Sequence, residues 1–210
     1  MLLRLSAAGA TFAAAMAVGA ARRLLSATVE ESTRGAEFWG DLVRDLAAGL
    51  PEAFGRLVQG SGSLFPGAGP RDFGATLTLA IAAPPWLAAL SIGDGFVVTR
   101  SGDGHLDLLL PPELGGTAFV SSPGAAAAAH TLVARIADLT GIAVSTNGLR
   151  ELCLVYEGAL AHRPRESFFD RVFARADTAG DGAELLRFLA SEQVCSVTGG
   201  DKTLVVAVPR

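Results

Sequence analysis

The chain has 210 residues, of which 17 are Lys or Arg and 21 are Asp or Glu, so its formal net charge is −4 and its sequence pI is about 5.4. This acidic balance argues against a nucleic-acid-binding protein, whose surface carries an excess of basic residues to replace phosphate counterions. Half of the residues are hydrophobic and 18% are charged, which predicts one globular domain over residues 1–210 rather than a disordered chain.

Two interpretations fit the amino-terminal stretch 1–27. The uncharged run 5–21, which follows Arg4, could be the apolar region of a secretory signal peptide. However, Arg22 and Arg23 follow directly, and the run is rich in Ala and Gly and too weakly apolar for a transmembrane span, so we expect no membrane association. The larger side chains occur near helical spacing and favour a helix that lies buried on a sheet: Leu5, Phe12, Met16 and Leu24.

A second helix is predicted over 36–58, because apolar side chains recur along one face of this stretch. Leu50-Pro51 predicts either a break or the first turn of a new helix. The segment 60–70 is a loop by its Gly, Ser and Pro content. Residues 1–60 are therefore the helical part of the chain.

After residue 73 the pattern is typical of short strands. Gly93-Asp94-Gly95 and Ser101-Gly102-Asp103-Gly104 have the Asp-Gly content of hairpin turns, so an antiparallel meander is expected. The strands are predicted at 75–82, 86–92, 96–100, 105–110, 131–137 and 141–145. Residues 73–149 are thus an antiparallel sheet region.

The last part, 150–210, contains two predicted helices and a closing strand. The helices cover 166–176 and 183–193, and the strand covers 203–208. Helices first, then antiparallel strands, then helices before a final strand predict an α+β layered domain rather than an alternating βαβ one.

The usual catalytic and metal-binding motifs give little signal. Cys153 and Cys195 are isolated, which indicates a reducing, cytoplasmic compartment and no zinc site. No nucleophile elbow, phosphate-binding loop or dinucleotide-binding glycine motif stands out. The acidic pairs and the three histidines are interpreted as turn and surface residues rather than as calcium or metal sites: Asp103 with Asp107, Asp177 with Asp181, His105, His130 and His162.

Three Gly-flanked turns follow one another in a characteristic order. They are Ile92-Gly93-Asp94-Gly95, Ser145-Thr146-Asn147-Gly148-Leu149 and Gly199-Gly200-Asp201-Lys202-Thr203. In this order and in this context of strands and helices, they resemble the metal-dependent protein phosphatase 2C family, in particular its compact bacterial branch, over nearly the whole chain.

The resemblance implies a layered αββα sandwich of two antiparallel sheets flanked by helices. It also implies a binuclear Mn²⁺ or Mg²⁺ site between the sheets, where the metal pair activates a bridging water that attacks a phosphoserine or phosphothreonine ester.

This sequence departs from the family pattern where the metal chemistry lies. Asn147 replaces the Asp of the Ser/Thr-Asp-Gly turn, and Gly200 stands where a ligand Asp is expected, three residues before Thr203. The early Asp-Gly-X-Gly turn, which supplies the bridging Asp, has no counterpart, so the N-terminal strands are expected to be missing or to lie upstream of Met1. The binuclear centre is therefore expected to be lost.

Asp94 survives in a turn whose Asp lies near the metals in the family. Asp94, Asn147 and Asp201 are accordingly the candidate metal site, a residual and weak one for Mn²⁺ or Mg²⁺. One carboxylate, one amide and a more distant Asp do not neutralise two divalent cations. The alternative interpretation is that all three are turn residues kept for their backbone geometry.

Two functions remain open. The favoured one is a catalytically impaired phosphatase-like domain, which acts as a binding or regulatory module for a protein partner or phosphoprotein. The alternative is an active metal-dependent phosphoserine/phosphothreonine phosphatase. Self-association through an exposed N-terminal helix or sheet edge is expected where the family's strands are missing. The protein is expected in the cytoplasm, or outside it if 1–27 is a cleaved signal.

Overall fold

A computed structural model describes residues 2–27, 34–61, 65–112, 117–158, 160–178, 182–198 and 200–209. The chain divides into two compact units: the first is Met1–Gly93 with Gly116–Arg135, and the second is Asp94–Gly115 with Ile136–Arg210. Both contain helices and antiparallel sheet, which confirms the predicted α+β class. A single phosphatase-like domain over 1–210 stays a prediction.

The first unit begins with two helices of 25 residues that pack on each other. Helix α1 spans Leu2–Ser26 and helix α2 spans Ala36–Gly60. Small side chains on α1 are buried against α2 and allow the helices to approach closely: Ala13, Ala17 and Ala21. The predicted break at Pro51 is wrong, because α2 continues through it. Phe54 and Val58, one and two turns further on, are buried in the core and hold this part of the helix in place.

The helices lie on a three-stranded antiparallel sheet. Its strands are β1 (Leu77–Ala83), β2 (Trp86–Ile92) and β5 (Ala129–Arg135), in the order β1-β2-β5. Leu5 joins the shared core, which confirms the predicted helix packed on a sheet. Phe12 was expected to face inward, but it is 44% exposed, because the Ala positions form the buried side of α1.

Helix α1 has a second property. Leu5–Ser26 is long and apolar enough to cross a membrane by length and composition, with a mean hydropathy of 1.2 and 28% of its window buried. Buried helices of globular proteins and signal sequences share this property. The absence of membrane association and the cellular compartment therefore stay predictions.

The second unit contains a four-stranded antiparallel sheet in the order β4-β3-β6-β9. Its strands are β3 (Phe96–Ser101), β4 (Leu106–Leu110), β6 (Leu139–Ser145) and β9 (Leu204–Ala207). The predicted hairpin at Ser101–Gly104 is confirmed, since β3 pairs with β4.

The other predicted hairpin, at Gly93–Gly95, is wrong. Strand β2 has β1 on one side and β5 on the other, so neither of its edges is free for β3. The turn instead leads the chain from one sheet to the other. The predicted continuous meander is therefore divided at this point.

Residues 150–198 contain more elements than expected. A short helix α3 (Arg150–Cys153) precedes a hairpin of β7 (Leu154–Glu157) and β8 (Leu160–Pro164), and neither is among the elements predicted from the sequence. Helix α4 spans Glu166–Asp177. The predicted helix 183–193 divides into α5 (Gly182–Leu189) and α6 (Glu192–Cys195). The division falls at Ser191, whose extended backbone ends one helix and whose hydroxyl donates to the Phe188 carbonyl.

An ion pair connects β3 to the end of α4 in the second unit. Arg100 donates to both carboxylate oxygens of Asp177, at 2.9 and 3.0 Å, and to Thr140 on β6. These hydrogen bonds from Arg100, together with its charge, lower the pKa of Asp177. Because the pKa of Asp177 is lower in the folded state, the ion pair stabilises the folded protein at a pH above the pKa of an ordinary Asp. This stabilisation is lost as the pH falls through the folded-state pKa.

Asp177→Asn should therefore be less stable than the wild type at pH 7, and the difference should shrink below about pH 4, where an ordinary Asp is protonated. Chemical denaturation at a series of pH values measures this difference. Asp170→Asn, on the same helix, is the control, because Asp170 makes no hydrogen bond or ion pair with the residues that the structure describes. If Asp177→Asn were less stable than the wild type by the same amount at every pH from about 3 to 7, the range in which an ordinary Asp titrates, the role of the Arg100–Asp177 ion pair would be contradicted.

Candidate functional site

The three candidate residues lie beyond one end of the strands β3, β6 and β9. Phe96 pairs with Ser145, and Ser145 pairs with Leu204. Asp94 precedes Phe96 by two residues, Asn147 follows Ser145 by two, and Asp201 precedes Leu204 by three. Because neighbouring strands are antiparallel, these three positions lie beyond the same end of the strands. The structure thus brings together three turns that are distant in sequence.

Asp94 and Asn147 are in direct contact. The amide Nδ2 of Asn147 donates to Oδ2 of Asp94 at 2.5 Å. Asp94 is only 7% exposed, whereas Asn147 is exposed. A buried carboxylate needs hydrogen-bond donors to compensate for its lost hydration, and the amide of Asn147 supplies one.

Asp201 reaches the site through its backbone. Its carbonyl oxygen accepts a hydrogen bond from the Thr146 hydroxyl at 3.4 Å, and its side chain is exposed. Thr203 completes the contact, since its N–H donates to Thr146 Oγ1 at 3.0 Å and its carbonyl accepts from the Thr146 N–H at 3.1 Å. Hydrogen bonds to Thr146 therefore hold the loop 200–203 against the turn that carries Asn147.

Two further residues, which are not among the candidates predicted from the sequence, shape this turn. A Cβ on Gly148 would lie 2.1 Å from the Asp201 carbonyl oxygen, so only glycine permits this approach. Lys202 Nζ donates to the carbonyls of Thr198 and Gly200 and closes the neighbouring loop. The sequence signal for Gly148 was its place in the Thr-Asn-Gly turn. Gly199 lies outside the described residues.

The side chains at this site do not fit the set of ligands that a binuclear metal centre requires. Hard divalent cations take several oxygen ligands, carboxylates above all. The side chains that meet here are the buried carboxylate of Asp94 and the exposed amide of Asn147, whose Nδ2 already donates to that carboxylate. In the part of the chain that the structure describes, no three His, Cys, Asp or Glu side chains are grouped closely enough to hold a metal ion.

The other acidic and histidine candidates have local roles. Asp103 accepts from the Ser101 hydroxyl and the His105 N–H, and these hydrogen bonds lower its pKa. His105 lies 3.3 Å from Asp107, and both are exposed. Their interpretation as turn and surface residues is therefore consistent with the contacts. Asp181 lies outside the described residues, and Asp177 binds Arg100.

Comparison with known proteins gives one family and a set of similar folds. The family model described as protein phosphatase 2C matches residues 5–190. A search of curated proteins gives no match.

The structure of PppA, described as a key regulatory component of T6SS in Pseudomonas aeruginosa, is similar with a TM-score of 0.53 and 16% identity, over 94% of this chain and 79% of that one. A bacterial serine phosphatase carrying a point mutation gives a TM-score of 0.45 and 10% identity, over 87% and 70%. The 16% sequence identity to PppA is too low for a function to be transferred, so this similarity shows the fold alone.

Proposed function

The chain belongs to the protein phosphatase 2C family, and we propose that it is a catalytically impaired member, a pseudophosphatase that acts as a binding or regulatory module. The hydrogen bond from Asn147 to Asp94 carries this proposal. In the family resemblance, position 147 holds a carboxylate that helps bind the metal pair. Here it holds an amide, whose Nδ2 lies 2.5 Å from the remaining buried carboxylate.

The substitution changes both charge and hydrogen bonding. An amide NH₂ group is a donor with no lone pair for a cation, and it occupies an oxygen that a metal would use. One carboxylate leaves most of the charge of two divalent cations unbalanced in a partly buried site. At Gly200, where a second ligand Asp is expected, there is no side chain at all. These residues favour a structural turn over a metal centre.

The alternative, an active Mn²⁺- or Mg²⁺-dependent phosphoserine/phosphothreonine phosphatase, has one observation in its favour. Asp94 is present and buried at the position that lies near the metals in the family. Its activity would require other oxygen ligands than those at 147 and 200.

A regulatory module needs a protein partner, and we propose a protein or phosphoprotein in this role. The description of PppA as a regulatory component supports this only by analogy. Two surfaces of the chain suit association, with itself or with a partner. Helix α1 exposes Phe12 and Val18, and the edge strand β9 exposes 58% of Val205. The free thiols Cys153 and Cys195 support a cytoplasmic location; export with 1–27 as a signal is the alternative.

Calorimetric titration of Mn²⁺ into the full chain tests the metal site. We expect no site with a Kd below about 0.1 mM, because strong Ca²⁺- and Mg²⁺-type sites need several charged oxygens. Asn147→Asp should bind Mn²⁺ more tightly than the wild type, because it adds a second carboxylate beside Asp94. It should also be less stable without metal, by about 1–3 kcal/mol, since the hydrogen bond is replaced by like charges.

Asn147→Ala is the matched control, because it removes the hydrogen bond without adding charge. It should be destabilised but should not gain Mn²⁺ affinity. Tight binding of two Mn²⁺ ions by the wild type, lost in Asp94→Asn, would overturn the proposal and favour the active phosphatase.

A further inference from the structure

The second unit contains a cavity of about 440 Å³ between α4, α5 and β9. None of the candidate-site residues lines it. Its size lies within the range of about 300–1,000 Å³ that is usual for small-molecule sites. Six apolar side chains line the cavity. Leu204 and Val206 come from β9, and Phe168, Val172, Leu185 and Phe188 come from the two helices.

The walls are well ordered by packing. The rings of Phe168 and Phe188 lie with their centroids 6.0 Å apart, one from each helix. Phe168 and Leu204 are buried, and Leu185 and Phe188 are partly buried on the same core. A ligand with an apolar body would gain by covering the apolar surface that remains inside the cavity.

The polar lining of the cavity includes two arginines of α4. Arg171 and Arg175 are four residues apart, so they lie on the same face of the helix, and both line the cavity. Arg175 lies 3.6 Å from Glu184 of α5, which also lines it. Arg171 makes no hydrogen bond or ion pair with any residue that the structure describes. Among the residues that the structure describes, no acid therefore compensates the positive charge of Arg171 at the cavity.

We propose that this cavity binds an amphipathic carboxylate of the medium-chain fatty acid class. Its apolar chain lies against Phe168, Phe188 and Val206, which line the cavity, and its carboxylate pairs with Arg171. A guanidinium binds a carboxylate through two parallel hydrogen bonds, which gives it a preference over a neutral head group. A cation is repelled by the same charge. This site would make the module responsive to a small ligand, whether or not the chain hydrolyses phosphate esters.

Calorimetric titration of octanoate into the full chain tests this inference, with 1-octanol as the probe that has the same chain and no charge. Octanoate should bind at one saturable site and more tightly than octanol. Arg171→Gln should weaken octanoate binding about tenfold or more, since a charged hydrogen-bond partner is removed, and should leave octanol binding unchanged. Arg163→Gln is the matched control, because Arg163 is an exposed arginine of β8 that does not line the cavity.

Ala176→Leu provides a second variant. Ala176 lines the cavity, so the larger side chain should occupy part of the space and abolish binding of both probes, while circular dichroism verifies that the chain is folded. Three results would overturn the proposal: no saturable binding of octanoate, octanol binding as tightly as octanoate, or equal affinities of the Arg171→Gln and Arg163→Gln variants.

Discussion

Substituting Gly148 with alanine is expected to destabilise the protein by about 3 kcal/mol, at the upper end of the cost of overpacking. The new methyl group would lie 2.1 Å from the carbonyl oxygen of Asp201 and 3.0 Å from its carbonyl carbon. Both are backbone atoms, so no side-chain rotation relieves the overlap. The loop 200–203 must move away, which breaks its hydrogen bonds to Thr146 at about 1 kcal/mol each.

The change is measured by urea denaturation followed by far-UV circular dichroism, because both tryptophans, Trp39 and Trp86, lie in the first unit and Gly148 lies in the second. Gly55→Ala is the control. Gly55 lies inside α2 with nothing within 4 Å of an added Cβ, so alanine there should raise the stability by about 0.5–1 kcal/mol. A Gly148→Ala variant as stable as the wild type would show that the two turns are not in contact.

Phe173→Ala should have the largest effect, a loss of about 3–5 kcal/mol, which is typical of a buried aromatic truncated to alanine. Phe173 is fully buried, and its ring packs against the ring of Phe169 at 6.2 Å. The guanidinium of Arg100 lies over the same ring, 4.8 Å from its centroid, and adds up to about 1–2 kcal/mol. Gly141 of β6 lies directly against the ring edge, which allows α4 to approach the sheet.

Phe12→Ala is the matched control, since it removes the same side chain from the exposed face of α1. It should cost no more than about 1.5 kcal/mol, because much of that side chain already contacts water. The same denaturation assay compares the two variants. Equal losses for Phe173→Ala and Phe12→Ala would contradict the position of Phe173 in the core of the second unit.

Much of the local structure could be predicted from the sequence. Alternating apolar residues and Asp-Gly turns located the strands that became β1, β2, β3, β4, β6 and β9 to within a few residues. The ordered turns also located Asp94, Asn147 and Asp201, which the strand register brings to one edge. These features depend on local patterns, and each element carries its own signal.

The rest depends on contacts between distant residues. The Gly93–Gly95 segment indicates a turn, but whether β3 pairs with β2 depends on β5, which comes more than thirty residues later and takes the free edge. The hairpin of β7 and β8 is short and carries charged side chains, so it lacks the apolar alternation of a strand. Helix α2 continues through Pro51 because tertiary packing of Phe54 and Val58 overcomes the local preference.

The site could be located but its contacts could not. The sequence shows an amide at position 147, but only the structure shows that its Nδ2 donates a hydrogen bond to Asp94. The structure also shows that Asp201 contacts the turn through its backbone carbonyl and not through its carboxylate. These contacts depend on the packing of two turns that are distant in sequence, where Gly148 and Thr146 hold the loop 200–203 against the turn that carries Asn147.

Hydrolysis of p-nitrophenyl phosphate by the full chain with millimolar Mn²⁺ decides whether this member of the family is catalytically impaired. With Asn147 and Gly200 in place of acidic ligands, we expect a rate equal to that of Mn²⁺ in buffer without the protein, for the wild type and for Asp94→Asn alike. A Mn²⁺-dependent rate above this background that disappears in Asp94→Asn would contradict it, because the chain would then have a working metal centre built around Asp94.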